Sequence, residues 1–326
     1  MAATLVFAPR ASLLLIAVAL DLAIGDPDYA LHPVRLVGRS LTVIGRALRR
    51  LGLDGYGGGI ALFVKLSVLW LAVLIVVLRG SALLPPWIGA AVHVFILYSL
   101  LALGSLLRHG RAIETPLRKG DLIAARVAVG RLVGRDTDRM DAGACRRAAV
   151  ESLTENLTDG VVSPLFWYAL GGLPALVVFK VVSTMDSMVG YRTPEYLCFG
   201  WCGARLDDVM NWIPARISWL IIALVAAVLP GGSVRKAIRV GWSQHALLPS
   251  PNSGWSEAAA AGALRRRLVG PIWSGGRLVT DVWLGEPGDP PLETASDYTR
   301  ASLIVALSGV VAALLAAGAI AARESM

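Results

Sequence analysis

Long apolar runs separated by charged segments dominate the chain. Four runs, roughly residues 4–24, 59–78, 83–107 and 302–321, are each near the ~20 residues a helix needs to cross the hydrocarbon core. Pro85 and Pro86 fit a tight turn between the second and third. Two more runs are ambiguous. Residues 161–182 are apolar but hold Pro164, Gly171, Gly172, Pro174 and Lys180, and residues 217–230 are short for a span. Broken or short apolar elements persist at membrane depth where protein or a water-filled cavity covers their backbone. The pattern predicts an all-α, polytopic integral membrane protein of four full transmembrane helices and two re-entrant or buried apolar helices. Six spans is the alternative. Residues 1–326 read as one integral membrane domain, with helical cytoplasmic segments over about 25–58, 108–160 and 231–301.

Composition agrees. Of 326 residues, 56% are apolar and 17% charged, against roughly 45–50% and 25% in soluble domains. The formal charge of +8 could point to nucleic acid, an anionic membrane surface or anionic substrates. In a membrane protein the first explanation is the Lys and Arg of cytoplasmic loops, so no nucleic-acid partner is expected. With six spans and the N-terminus outside, the three inside segments carry 5, 10 and 8 basic residues; the outside ones hold Arg10, Arg79, Arg192, Arg205, Arg216 and Arg323. Cys145, Cys198 and Cys202 make no disulfide framework or zinc set. The N-terminal apolar run lacks a small-residue cleavage signature and reads as a retained helix. The Gly- and Pro-rich stretches Gly55–Gly59 and Gly285–Pro291 read as loops.

Several polar constellations could carry chemistry. In "ESLTENLTDGVVSPLFWYALGG", Glu151, Glu155 and Asp159 fall at i, i+4 and i+8 on one helical face, neighbours ~6 Å apart along the axis. Two such carboxylates can share Mg²⁺, which usually takes one or two carboxylates plus phosphate oxygens. A solvated face, or pairing with Arg146 and Arg147, is the plainer alternative. "TMDSMVGYR" sets Asp186 among hydroxyls, with Arg192 able to fork onto phosphate or carboxylate. A helix end with a capping Asp explains it equally. "ARLDDVMNWIPARI" holds Arg205, Asp207 and Asp208; the acid pair could equally complement a helix dipole. "GDPDYALHPVRLVG" places Asp21, Asp26, His32 and Arg35 past the first span. "SPNSGWSEAAAAGAL" reads as a turn and helix start, capped by Ser253 or Ser256, with Asn252 before it and Glu257 in the first turn. No phosphate-loop or nucleophile-elbow motif occurs.

Those five stretches, with the tail "GEPGDPP", resemble in order and spacing the CobD/CbiB family of cobalamin biosynthesis, adenosylcobinamide-phosphate synthase. The resemblance covers about Asp21 to Pro291; Thr154 and Ser256 are mild departures. It implies a membrane enzyme that joins the corrinoid adenosylcobyric acid to (R)-1-aminopropan-2-ol or its O-phosphate, an amide-forming ligase using ATP and Mg²⁺. It further implies a multi-pass cell (inner) membrane location, a cytoplasmic active site, contact with membrane lipid and proximity to other membrane enzymes of late cobalamin assembly. On that footing Glu151, Glu155 and Asp186 are expected to be catalytic. Arg35, Arg192, Arg205, Asn156 and Asn252 are expected to bind substrate or phosphate, and Glu151, Glu155, Asp159, Asp207 and Asp208 to be candidates for Mg²⁺.

If 161–182 and 217–230 both cross, Asp186, Arg192, Asp207 and Asp208 face away from cytoplasmic ATP, which favours the four-span reading. A transporter or binding protein for an anionic solute would show similar intramembrane polar residues and broken helices. A lipid-type alcohol phosphotransferase ranks last, because its D-G-x-x-A-R signature is missing.

Overall fold

The computed structural model describes residues 7–25 and 29–325, so residues 4–6 of the first apolar run, Asp26 and Pro27 lie outside the described residues. The chain is mainly helical: α1 (Ala11–Ile24), α2 (Pro33–Arg50), α3 (Tyr56–Ser81), α4 (Pro86–Tyr98), α5 (Leu103–Arg118), α6 (Leu122–Gly130) and α7 (Ala142–Leu157). A π-helical turn (Thr158–Val162) leads into α8 (Ser163–Val189), followed by α9 (Trp201–Met210), α10 (Trp212–Val225), α11 (Val234–Gln244), α12 (Ser253–Leu264) and α13 (Ala295–Glu324). Between α12 and α13 lie β1 (Leu268–Val269), β2 (Ile272–Ser274), β3 (Arg277–Thr280) and β4 (Trp283–Leu284). They pair antiparallel as β1–β4 and β2–β3, within a stretch the sequence suggested was helical. The Ser-Gly-Gly turn after β2, with Gly275 and Gly276 both at positive φ, explains the hairpin.

Four helical stretches are long and apolar enough to cross a membrane: Tyr56–Ser81, Pro86–Arg118, Ala142–Val189 and Ala295–Glu324. This is the fold of an all-α polytopic membrane protein. On α3, Val68 and Val76 are 62% and 70% exposed, as a lipid-facing surface requires. Two details differ from the apolar pattern. The first run forms a helix of 14 described residues, while 161–182 lies within a span-length stretch. The pair α9 and α10 bends by 43°, a broken span or re-entrant loop, and takes in 217–225 of the run 217–230.

The chain forms two compact units. One comprises 1–102, 163–211 and 313–326. Its core joins α2, α3, α8 and the 190–200 segment through Val37, Leu41, Leu48, Leu62, Leu66, Val181, Met185 and Phe199. On α2 the apolar positions recur every three or four residues, and the arginines between them point outward. Arg49 bonds Glu195 at 2.9 Å and lies over the rings of Tyr196 and Phe199. Tyr56–Gly59 is helical rather than a loop. A side chain on Gly59 would strike the Phe199 carbonyl, so glycine there permits close helix approach. Gly171 and Gly172 break α8, with Gly172 at φ 65° against the backbone of Phe7.

The other unit comprises 103–162 and 212–312. At its centre α12 is buried from Gly254 to Leu264. Its Ala- and Gly-rich sequence lets neighbours come close: a Cβ on Gly262 would meet the Lys236 backbone of α11. Glu114 of α5 is buried and accepts from Arg118 Nε at 3.1 Å and Arg146 Nε at 2.8 Å. The Arg146 pair ties α5 to α7.

Candidate active site

In the second unit, α7 begins at Asp141, whose side chain accepts from the Ala144 N–H at 2.6 Å. Arg147, Glu151 and Glu155 then share one face. Glu151 is buried. Its Oε2 accepts from Arg135 Nη2 at 2.8 Å, whereas Oε1 is buried without a hydrogen-bond partner among the described residues. Glu155 is exposed. After Leu157 the backbone widens into the π turn, held where the Thr158 hydroxyl donates to Ser218 Oγ at 2.9 Å. Asp159, half-buried, sits in this turn, so the face of Glu151 and Glu155 does not continue onto it in α-helical register. π-turns within helices often mark functional sites.

Glu257 completes this group. It projects from α12, is fully buried, and feels the charges of both Glu155 and Glu151. Burial chiefly, then Glu155 and Glu151, raise its carboxyl well above the usual range, against a hydrogen bond from Ser253 and the charge of Arg135. The sequence treated Glu257 as a first-turn acid. The available signal was its setting: a helix of Gly, Ala, Leu and Trp leaves a carboxylate no solvent face. Ser253 and Ser256 do not cap α12. Asn252 occupies the N-cap position, and Ser250 Oγ accepts from the N–H groups of Asn252 and Ser253 at 3.2 and 3.3 Å.

Among the described residues no group of three or more His, Cys, Asp or Glu side chains is placed to hold a metal ion. The orphaned Glu151 oxygen is a hard donor, and Mg²⁺ usually takes only one or two carboxylates together with waters and phosphate oxygens. A cavity of about 450 Å³ in this unit is lined by Arg111, Glu114, Arg118 and Tyr298 and does not include these acids.

The remaining acids gather in the first unit. Asp186 of α8 feels the charge of Asp208, and Asp207 of α9 feels Asp186 and Asp208, with Lys180 as the opposing cation. Asp207 Oδ2 accepts from Asn211 Nδ2 at 2.9 Å, and Asn211 Oδ1 accepts from the Ser163 hydroxyl. Gly203 makes this possible, since a Cβ there would lie 2.9 Å from Met185 Cβ. Arg205 is exposed and pairs with Asp208 at 3.2 Å. Arg192 and Arg35 are exposed. In the second unit, Asn156 donates back to the Ser152 carbonyl at 2.9 Å, and Asn252 Oδ1 accepts from Arg216 Nη1 at 3.4 Å.

Residues 14–305 match the family model described as CobD/Cbib protein. The chain belongs to the CobD/CbiB family. It is 41% identical to the cobalamin biosynthesis protein CbiB of Salmonella typhi over 275 residues, 83% of this chain and 86% of the relative. The cobalamin biosynthesis protein CobD of Klebsiella pneumoniae is 41% identical over 271 residues, covering 82% and 84%. That of Photorhabdus laumondii is 40% identical over 279 residues, with the same coverage. No solved structure matches the chain. Family membership turns attention to the acids above, because four of the six stretches that carry the resemblance contain them.

Proposed function

We propose that the chain forms an amide bond between adenosylcobyric acid and (R)-1-aminopropan-2-ol or its O-phosphate, driven by ATP. Relatives named as cobalamin biosynthesis proteins support the pathway. The observation that carries the reaction class is the α7–α12 acid group: buried Glu151 with one unpartnered oxygen, beside Glu155 and a fully buried Glu257. Arg135 compensates one oxygen of buried Glu151, and a divalent cation would compensate the other.

A carboxylate and an amine do not condense unaided in water. When bound, Mg²⁺–ATP would supply the phosphoryl group that activates the corrin carboxylate, with ADP as the leaving group. The amine nitrogen then attacks the acyl carbon, the C–O bond to phosphate breaks, and the nitrogen loses a proton. Glu151, together with Glu257 or Glu155, would hold the cation, and Arg135 orients Glu151 from its other oxygen. Asp186, expected to be catalytic, and Asp207 and Asp208, expected to be Mg²⁺ candidates, group in the other unit. The active site is proposed to face the cytoplasm, where ATP is found.

Purified protein in detergent should consume ATP only when both the corrin acid and the amine are present. ATP consumption without the amine, or none with both substrates, would overturn the reading. Substrate-specific binding with no turnover would instead favour an anion transporter.

A further inference from the structure

We propose that Arg147 and Arg267, held against Trp283, form a phosphate-binding clamp. The inference rests on the ATP-dependent reading and deepens it by naming where phosphate charge sits. The guanidinium carbons of Arg147 and Arg267 lie 5.1 and 4.7 Å from the centre of the Trp283 ring. That places the two cations within about 10 Å of each other.

Their local charge is poorly balanced. Arg147 is only 8% exposed, yet its nearest acid is Glu293, at 3.7 Å and itself 59% exposed. Arg147 Nε donates to the Val269 carbonyl at 3.3 Å. Arg267 Nε is buried with no hydrogen-bond partner among the described residues. The nearby acids Glu286 and Asp289 are engaged elsewhere. Lys236 Nζ bridges them at 2.8 and 2.7 Å, and Arg239 also pairs with Glu286. Two guanidiniums, one with an unpartnered Nε and the other with a single long ion pair to an exposed carboxylate, call for an anion with several oxygens, as phosphate provides.

The backbone holds this arrangement open. Arg267 N–H donates to the Pro290 carbonyl at 2.9 Å, and its carbonyl accepts from Leu292 N–H at 3.0 Å. Gly285, at φ 115°, packs on the same stretch: a Cβ there would lie 2.9 Å from the Arg266 carbonyl. "GEPGDPP" thus positions Arg267. Across the β1–β4 ladder Val269 pairs with Trp283 while held at φ 68°, costly for a β-branched residue. Arg147 lies one turn before Glu151 on α7, so the clamp and the proposed cation ligands share a helix face.

The test is binding of sodium tripolyphosphate and, separately, inorganic phosphate to the full chain in a maltoside detergent without phosphate. The readout is the tryptophan fluorescence that disappears in Trp283→Phe, with calorimetry in parallel. Tripolyphosphate binding tighter than phosphate assigns the clamp to the nucleotide, and the reverse order assigns it to a phosphate monoester. Arg267→Gln breaks no hydrogen bond of its Nε and should weaken binding about tenfold or more; Arg267→Lys should weaken it less. The proposal is overturned if neither anion alters the Trp283 signal, or if Arg267→Gln binds as tightly as the parent. Binding that depends on Arg267 without any turnover would keep the clamp and reject the ligase reading. Turnover indifferent to Arg267 would do the opposite.

Discussion

Replacing Glu257 by Gln keeps the side chain's shape and removes its ability to ionise. Burial first, then Glu155 and Glu151, hold this carboxyl well above its ordinary value. The proton it retains in the fold contributes stability that is fully present below the unfolded value of about 4.3. That contribution is lost as pH rises through the raised folded value, at about 1.36 kcal/mol per unit. The Gln protein has no such slope. In EDTA it should therefore match the parent at low pH and exceed it increasingly as pH rises. Cation binding should behave oppositely. A unit charge at 4 Å contributes about 4 kcal/mol at an effective dielectric of 20, roughly a thousandfold in affinity. Below the pKa of Glu257 the cation must first displace a proton, which shrinks the gap about tenfold per pH unit. Mn²⁺ binding by electron paramagnetic resonance, followed from pH 6 to 9 with thermal unfolding in EDTA, measures both. A parent-to-variant affinity ratio that does not change with pH would refute the reasoning. So would a variant about 3 kcal/mol or more less stable in EDTA at pH 7, because Glu257 would then be an ionised structural partner.

Arg135→Gln should cost about 2–3 kcal/mol in metal-free protein by leaving buried Glu151 unpaired, with Mn²⁺ restoring part of the loss in thermal unfolding. Gly203→Ala places a methyl 2.9 Å from Met185 Cβ; an unfolding cost below about 1 kcal/mol would mean that α8 and α9 are not tightly apposed. Arg192→Lys should raise KM for aminopropanol phosphate by roughly tenfold and for unphosphorylated aminopropanol far less. Equal effects in paired kinetics would remove Arg192 as the phosphate ligand.

The membrane character was legible because apolar runs such as 59–78 and 302–321 need no tertiary information to be recognised. The run 161–182 was harder. Its glycines and prolines suggest a broken element, and Gly171–Gly172 is indeed non-helical. Yet Pro174 lies just after that break, where a missing N–H costs little, so the apolar stretch continues. Glu151 and Glu155 were legible from their spacing. The π turn that carries Asp159 was not, because it answers to Ser218, sixty residues away. Glu257 reads in the sequence only as a first-turn acid; the apolar composition of its helix hinted at the burial that the packing around α12 makes plain. Arg147, Arg267 and Trp283 are brought together by backbone pairing of 267–270 with 282–292, which residue types alone do not announce.

The most direct test of the ligase reading follows the corrin carboxylate oxygens. Adenosylcobyric acid labelled with ¹⁸O in its free carboxylate is incubated with purified protein, Mg²⁺–ATP and aminopropanol or its O-phosphate. The products are then read by mass spectrometry. The account predicts one amide product per ADP formed, with one ¹⁸O transferred to the released phosphate. Amide formation without label in phosphate would contradict the acyl phosphate route, and the absence of any amide product would contradict the ligase itself.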